Sequence, residues 1–302
     1  MIASRSFAGA HLKTPAKLNL FFEVLAKRSD GFHEIETLMA PIDLFDDLFF
    51  ETDPSGRITV ECSWAYGKSC RDPNALGELP DAESNLATRA LVLLRDRAGV
   101  TDGARLRLIK RIPAAAGLGG GSSDAAAALR AANVGWRLDW PAERLAEVAA
   151  ELGSDVPFFL SGNAAICRGR GERIEDVPGL GSWHAVVARP PVGLSTAEVY
   201  RNCRPGCSTR SIEPLVTAMQ RGNSRALASS LFNRLEEAAD SLSPWIATLR
   251  NEFHQLDAIA AQMSGSGSSY FGLFGSARQA RRAAVRLRAR RVGSVFVVRV
   301  GV

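Results

Sequence analysis

One stretch limits what this chain can be more than any other: Pro113 to Leu129, PAAAGLGGGSSDAAAAL, in which four glycines (Gly117, Gly119, Gly120, Gly121) fall within five residues. Before it, RLRLIKRI (Arg105 to Ile112) alternates basic and apolar residues, the period of a half-buried strand. After it, Asp124 to Ala132 is rich in alanine, the strongest helix former. The glycines therefore join a strand to a helix, with Ser122 or Ser123 placed to cap that helix. Glycine accepts positive φ and leaves its N–H groups open to an anion, and a helix N-terminus adds unpaired donors and partial positive charge. The stretch is a phosphate cradle. It is no Walker A loop, since no lysine follows Gly121, and the dinucleotide fingerprint fails because Ser122 stands at its last glycine.

The 302 residues suffice for two domains, and 46% hydrophobic with 23% charged residues is ordinary for a soluble globular protein. No apolar run is long enough for a membrane span, and the N-terminus does not resemble a secretory signal. Five scattered cysteines point to reduced thiols in a cytoplasmic protein. Cys203 and Cys207 lack a nearby histidine to complete a metal site, so none is expected from protein side chains. The net charge of +5 is concentrated in seven arginines from Arg278 to Arg291, where apolar residues recur at helical spacing. Aromatic residues for base stacking are missing there, so a solvated helix face is expected and no nucleic-acid partner.

After a start that looks disordered, Thr14 to Leu25 has the pattern of a buried strand, and Lys17 and Asn19, two apart, share one of its faces. A lysine so placed must snorkel or meet an anion. Asp30-Gly31 marks a turn, followed at once by Phe32 and His33 and by strand-like sequence to Glu51. Ile58 to Cys62 is a further strand and Trp64 to Pro80 an irregular loop. A helix is expected over Ser84–Gly99 with Ser84 as its cap, and another over Trp140–Gly153 with Pro141 in its first turn. Asp155, just past that helix, suits a cap or turn when taken alone. From Asn163 onward strands and helices mix as an α+β layer, closing with a helix (276–291) and a strand (294–300).

Three small-residue motifs thus occur in order: PAKLNLFF, PAAAGLGGGSSD and MSGSGSSYFGLF. Their order and spacing resemble those of the GHMP superfamily of small-molecule kinases. Together with DGFHEIETLM and LGSDVPFFL they resemble, within it, the 4-diphosphocytidyl-2-C-methyl-D-erythritol kinase family, over about Thr14 to Phe274. The resemblance implies a two-domain α+β architecture, with a ribosomal-protein-like N-terminal domain (1–166), a ferredoxin-like C-terminal domain (167–302) and the active site in the cleft between them. It implies phosphorylation of the 2-hydroxyl of the methylerythritol moiety by ATP with Mg²⁺, in the non-mevalonate route to isoprenoid precursors, without a covalent intermediate. Lys17 and Asp155 become the catalytic pair, Asp155 as proton acceptor and Lys17 as its partner. Pro113, Ala114, Ala115, Ala116, Gly117, Leu118, Gly119, Gly120, Gly121, Ser122 and Ser123 fall to the ATP phosphates, and Asn85 and Lys110 to positions near the adenine. Ser122, Ser123 or Asp124 would assist Mg²⁺. Asn19, Phe32, His33 and Tyr200 fall to the cytidyl substrate, with Phe32 where most relatives have tyrosine. Gly265, Ser266 and Gly267 would close over its diphosphate. Two other readings remain: a superfamily kinase for homoserine or mevalonate, and a nucleic-acid-binding protein using the arginine helix.

Overall fold

In the computed structural model, residues 2–6, 9–65, 76–205 and 208–301 are described. The first half runs β1 (Ile2–Ser6), β2 (Gly9–Lys27), β3 (His33–Asp53), β4 (Ile58–Trp64), α1 (Leu86–Ala98), β5 (Gly103–Lys110), α2 (Gly120–Gly135), α3 (Ala142–Leu152), α4 (Val156–Ser161), β6 (Ala165–Gly169) and β7 (Arg173–Asp176). The second runs β8 (Trp183–Arg189), α5 (Thr196–Asn202), α6 (Glu213–Gln220), α7 (Ser224–Ser230), β9 (Phe232–Asn233), α8 (Leu235–Leu242), α9 (Pro244–His254), β10 (Ala260–Met263), β11 (Tyr270–Phe274), α10 (Ala277–Ala289) and β12 (Ser294–Val300). Strand order begins earlier than the pattern indicated: β2 starts at Gly9, and β1 pairs with it. Of the Trp64–Pro80 segment, 66–75 lie outside the described residues.

The long antiparallel ribbon of β2 and β3 organises both halves. The other edge of β3 takes three partners in turn: β6 along 35–39, β12 at Ile42, and β5 along 47–53. A strand of 21 residues can do this because register shifts at Pro15/Ala16, Asn19/Phe21 and Val24/Ala26 bend the ribbon. In the second half the antiparallel order is β12-β8-β11-β10, which is 4-1-3-2 in chain order, the β-α-β-β-α-β arrangement of a ferredoxin-like layer. The expected division at residue 166 falls inside β6, whose partners β3 and β7 belong to the first half's strands.

The helix behind the glycines is the hub of the first core. Ala125 to Ala128, Leu129, Ala131 and Ala132 of α2 are all buried, against α1 on one side and β2, β3 and α4 on others. Alanine gives helix propensity with little bulk, so four elements approach this helix closely. A second core joins the β2–β3 ribbon to the inner face of β8, β11 and β12, through residues such as Leu18, Ile42, Val187, Phe271 and Val300. Among the described residues no helix is long and apolar enough to cross a membrane. α10 does form where the arginines fall, burying Ala280, Ala283, Ala284 and Leu287 and exposing the arginine face.

Three helix starts differ from expectation. α1 is capped by Asn85, not Ser84, its Oδ1 accepting the N–H of Ala87 at 2.9 Å. α2 begins at Gly120 with Gly119 as its cap at φ 71°, and neither Ser122 nor Ser123 makes a cap hydrogen bond. The first-turn N–H groups of α2 are therefore left without a side-chain cap. Pro141 likewise precedes α3 as its cap residue.

Candidate active site

Three of the four glycines of the loop have a packing reason of their own. A Cβ on Gly117 (φ 72°) would come within 2.4 Å of the Ser264 carbonyl oxygen. One on Gly119 (φ 71°) would meet the Phe159 ring at 2.8 Å, and one on Gly120 would meet Ile112 at 2.9 Å. Gly121 has open space around it and is exposed in the first turn of α2. Two cavities meet at this loop. The first, of about 760 Å³, is lined by Lys17, Asn19, Phe32, His33, Asp155 and Tyr200, with Gly265 and Ser266. The second, of about 670 Å³, is lined by all of Pro113 to Ser122 together with Asn85 and Lys110. Gly117, Gly119 and Ser122 line both, so the loop is the wall between them.

On the first side, the period-2 relation of β2 brings Lys17 and Asn19 together, with Lys17 Nζ donating to Asn19 Oδ1 at 2.5 Å. Asn19 Nδ2 donates to Thr37 Oγ1 at 2.8 Å, and Thr37 donates to the Phe21 carbonyl at 2.6 Å, so the amide is fixed in orientation. Lys17 is buried, its ammonium 3.4 Å from Asp155 Oδ2, and the Asp155 side chain is 36% exposed to the cavity. Asp155 holds the cap position of α4 but makes no cap hydrogen bond. It faces the lysine, and this ammonium–carboxylate pair opens onto the first cavity.

At the other end of the cavity, the His33 and Tyr200 rings lie 5.1 Å apart, tilted by 33°. Burial and then Lys27 hold the His33 pKa below its ordinary value, favouring the neutral ring. Burial and the nearby Asp155 raise the Tyr200 hydroxyl well above its usual range. Phe32 is 51% exposed, and the Arg170 guanidinium sits 4.9 Å from its ring centre. Sequence reasoning missed Arg170, as it did Lys27 and Arg201, which line the same cavity. The basic run RGRGER (168–173) carried a signal for the first but nothing to aim it. The Ser264–Ser268 turn closes one wall: Ser266 Oγ lies 2.9 Å from Thr196 Oγ1, and Asn233 Nδ2 donates to the Gly265 carbonyl at 2.8 Å. Gly267 lies behind this wall, where a Cβ would meet Met263 Sδ at 2.7 Å.

On the second side, Asn85 is buried with its Oδ1 engaged as the α1 cap. Lys110 is buried between Asp46 and Asp124 and ion-paired to both. Burial disfavours its charge, but the two carboxylates hold its pKa above the ordinary value. Asp124 is also taken by Thr14, whose Oγ1 donates to it at 2.8 Å. The Ser123 hydroxyl is buried and has no hydrogen-bond partner. Among the described residues no three His, Cys, Asp or Glu side chains group as metal ligands. None of the α10 arginines lines either cavity.

Comparison with known proteins places this geometry. The family model described as GHMP kinases N terminal domain matches residues 85–163, and GHMP kinases C terminal matches 215–292. Fold and loop thus define a GHMP kinase, ATP-dependent as that superfamily is. The 4-diphosphocytidyl-2-C-methyl-D-erythritol kinase of Pelotomaculum thermopropionicum is 42% identical over 278 residues, covering 90% of this chain and 92% of its own. That of Alkaliphilus metalliredigens is 38% identical over 267 residues, 87% of each. A crystal structure of 4-(cytidine 5'-diphospho)-2C-methyl-D-erythritol kinase superposes with a TM-score of 0.79 at 37% identity, over 97% of this chain and 99% of that one. The chain belongs to the 4-diphosphocytidyl-2-C-methyl-D-erythritol kinase family. Homoserine kinase from Cytophaga hutchinsonii (TM-score 0.67, 19% identical, 100% of this chain and 98% of that one) shares the fold.

Proposed function

We propose that the protein transfers the terminal phosphoryl group of ATP to the 2-hydroxyl of 4-diphosphocytidyl-2-C-methyl-D-erythritol. The observation that carries this reading is the shared wall: the glycine loop separates the two cavities, and Lys17 and Asp155 stand on the side opposite the nucleotide. Phosphoryl transfer needs chiefly positioning and charge stabilisation. The open first-turn N–H groups of α2 and the loop around Gly117–Gly121 suit the phosphates. Asn85 and Lys110 line the nucleotide cavity, where the Asn85 amide nitrogen is left to reach a base.

In the acceptor cavity Asp155 takes the hydroxyl proton as the oxygen becomes phosphorylated, and Lys17 steadies the carboxylate and the entering oxygen. Asn19 orients the polyol. His33 reads the cytosine edge as a neutral ring, while Tyr200 and Phe32 offer faces for stacking. Gly265 and Ser266 present polar backbone to the diphosphate, with Gly267 setting the turn behind them. Mg²⁺ fits here only as an ion brought by the nucleotide: Asp124 is already committed to Lys110 and Thr14, which leaves Ser122, lining both cavities, and the unpartnered Ser123 hydroxyl as the side chains that would hold it. Bound there, the ion would supply neutralisation of developing phosphate charge.

A coupled assay of ATP consumption, run with the cytidyl acceptor, homoserine and mevalonate, tests the reading. Turnover with the cytidyl acceptor alone is expected. Turnover with homoserine or mevalonate and none with the cytidyl compound would replace it with another superfamily activity.

A further inference from the structure

We infer that Asp46, Lys110 and Asp124 act as a clamp that fixes the two ends of the glycine loop, and that Asp46 is thereby a positioning residue for nucleotide binding. The inference rests on the nucleotide reading of the second cavity. A loop so rich in glycine has no stiffness of its own, and its shape must be imposed at its ends. At the entering end, Asp46 on β3 accepts the N–H of Ile112 at 2.8 Å and also that of Arg111. At the leaving end, Asp124, just past the first turn of α2, accepts from Thr14 of β2 at 2.8 Å. Lys110, the last residue of β5, joins the two carboxylates through one ammonium. Four elements are thus tied at one point directly beneath the loop.

Stability alone does not account for the cluster. The three residues are 0%, 6% and 3% exposed in the order Asp46, Lys110, Asp124, and removing such charges from water is costly enough that apolar residues would serve a core as well. Their neighbours Ala125, Ala126 and Leu108 show what the same core uses elsewhere. What apolar residues cannot do is accept the N–H groups of residues 111 and 112 while holding α2 at a fixed distance from β5.

Asp46→Asn keeps the shape and one oxygen for the two N–H groups but removes the charge facing Lys110. Calorimetric titration with a non-hydrolysable ATP analogue should show affinity lowered about tenfold, with affinity for the cytidyl acceptor within about twofold of wild type. Amide exchange across 113–121 should quicken in parallel. Thr14→Val removes only the bond to Asp124 and should lower nucleotide affinity by about threefold; it carries the test alone if Asp46→Asn does not fold. Unchanged nucleotide affinity in the folded variants, or equal losses of nucleotide and acceptor affinity, would overturn the clamp. A wild-type protein that binds the acceptor but no analogue would overturn the nucleotide reading itself, and the clamp with it.

Discussion

Ser264 donates its hydroxyl hydrogen to the carbonyl oxygen of Gly117 at 3.1 Å, and the Ser264 hydroxyl oxygen in turn accepts the N–H of Asn19 at 3.2 Å. One fully buried side chain therefore bolts together the loop between the cavities, the strand that carries Lys17, and the glycine turn of the second half. Gly117 could not approach so closely with a side chain, because its Cβ would sit 2.4 Å from the Ser264 carbonyl. The two glycine-rich motifs, 147 residues apart, are a single packed unit.

Ser264→Ala should accordingly act on stability and catalysis together. It leaves a buried N–H and a half-buried carbonyl without their partner, a loss of about 2 kcal/mol. Scanning calorimetry should show the melting temperature lowered by roughly 4 °C. An unchanged melting temperature would mean that water takes the place of the hydroxyl.

Asp155 and Lys17 make a different prediction. The Asp155 side chain is 36% exposed and its ion pair is with Lys17, so Asp155→Asn should leave the melting temperature nearly unchanged. The rate of the chemical step, read by rapid-quench single turnover, should fall by about 10²- to 10⁴-fold while acceptor affinity changes little. A fall of less than about tenfold would assign Asp155 to positioning and leave the hydroxyl proton to depart late.

Much of this site was legible because its parts are local in sequence. The strand period alone put Lys17 beside Asn19, and the glycines with the alanine run located the loop and its helix. The strand layer from 183 to 300 has the α+β character its composition indicated. What escaped were details decided by distant partners. Gly119 displaced Ser122 and Ser123 as the α2 cap because positive φ at the loop's end starts the helix earlier. Asn85 outdid its neighbour Ser84 by one residue of register. Arg170 and Asp46 carried no motif; Arg170 meets Phe32 across 138 residues, and Asp46 meets Ile112 across 66. No sequence period could report that β3 changes partners twice along one edge.

The Arg170–Phe32 pair can be separated from the chemistry. An arginine over an exposed aromatic ring is worth about 0.5–1 kcal/mol, and both residues line the first cavity, the proposed acceptor site. Arg170→Ala should raise the acceptor KM by about two- to fivefold with the ATP KM and kcat unchanged. Phe32→Ala should raise it further, since it removes the ring face as well as the arginine's support. Parallel changes in both KM values would place Arg170 in the fold of the cleft instead of its acceptor end.

Asp46 supplies a pH dependence whose sign follows from its surroundings. Burial, then repulsion from Asp124, push its carboxyl from 3.8 up to about 6, against the opposing pull of Lys110 and of the Arg111 N–H. The folded protein thus holds this proton at pH values where the unfolded chain has released it. Its contribution to stability is therefore fully present below about pH 4 and is lost as pH rises through 6. A shift of this size corresponds to about 2–3 kcal/mol across the window. Asparagine cannot titrate, so the stability of wild type relative to Asp46→Asn, measured by urea unfolding at several pH values, should fall by that amount between pH 4 and 7. A flat difference would mean that Asp46 ionises as freely in its core as an exposed carboxylate does, and that the charge on Lys110 already compensates both of its partners.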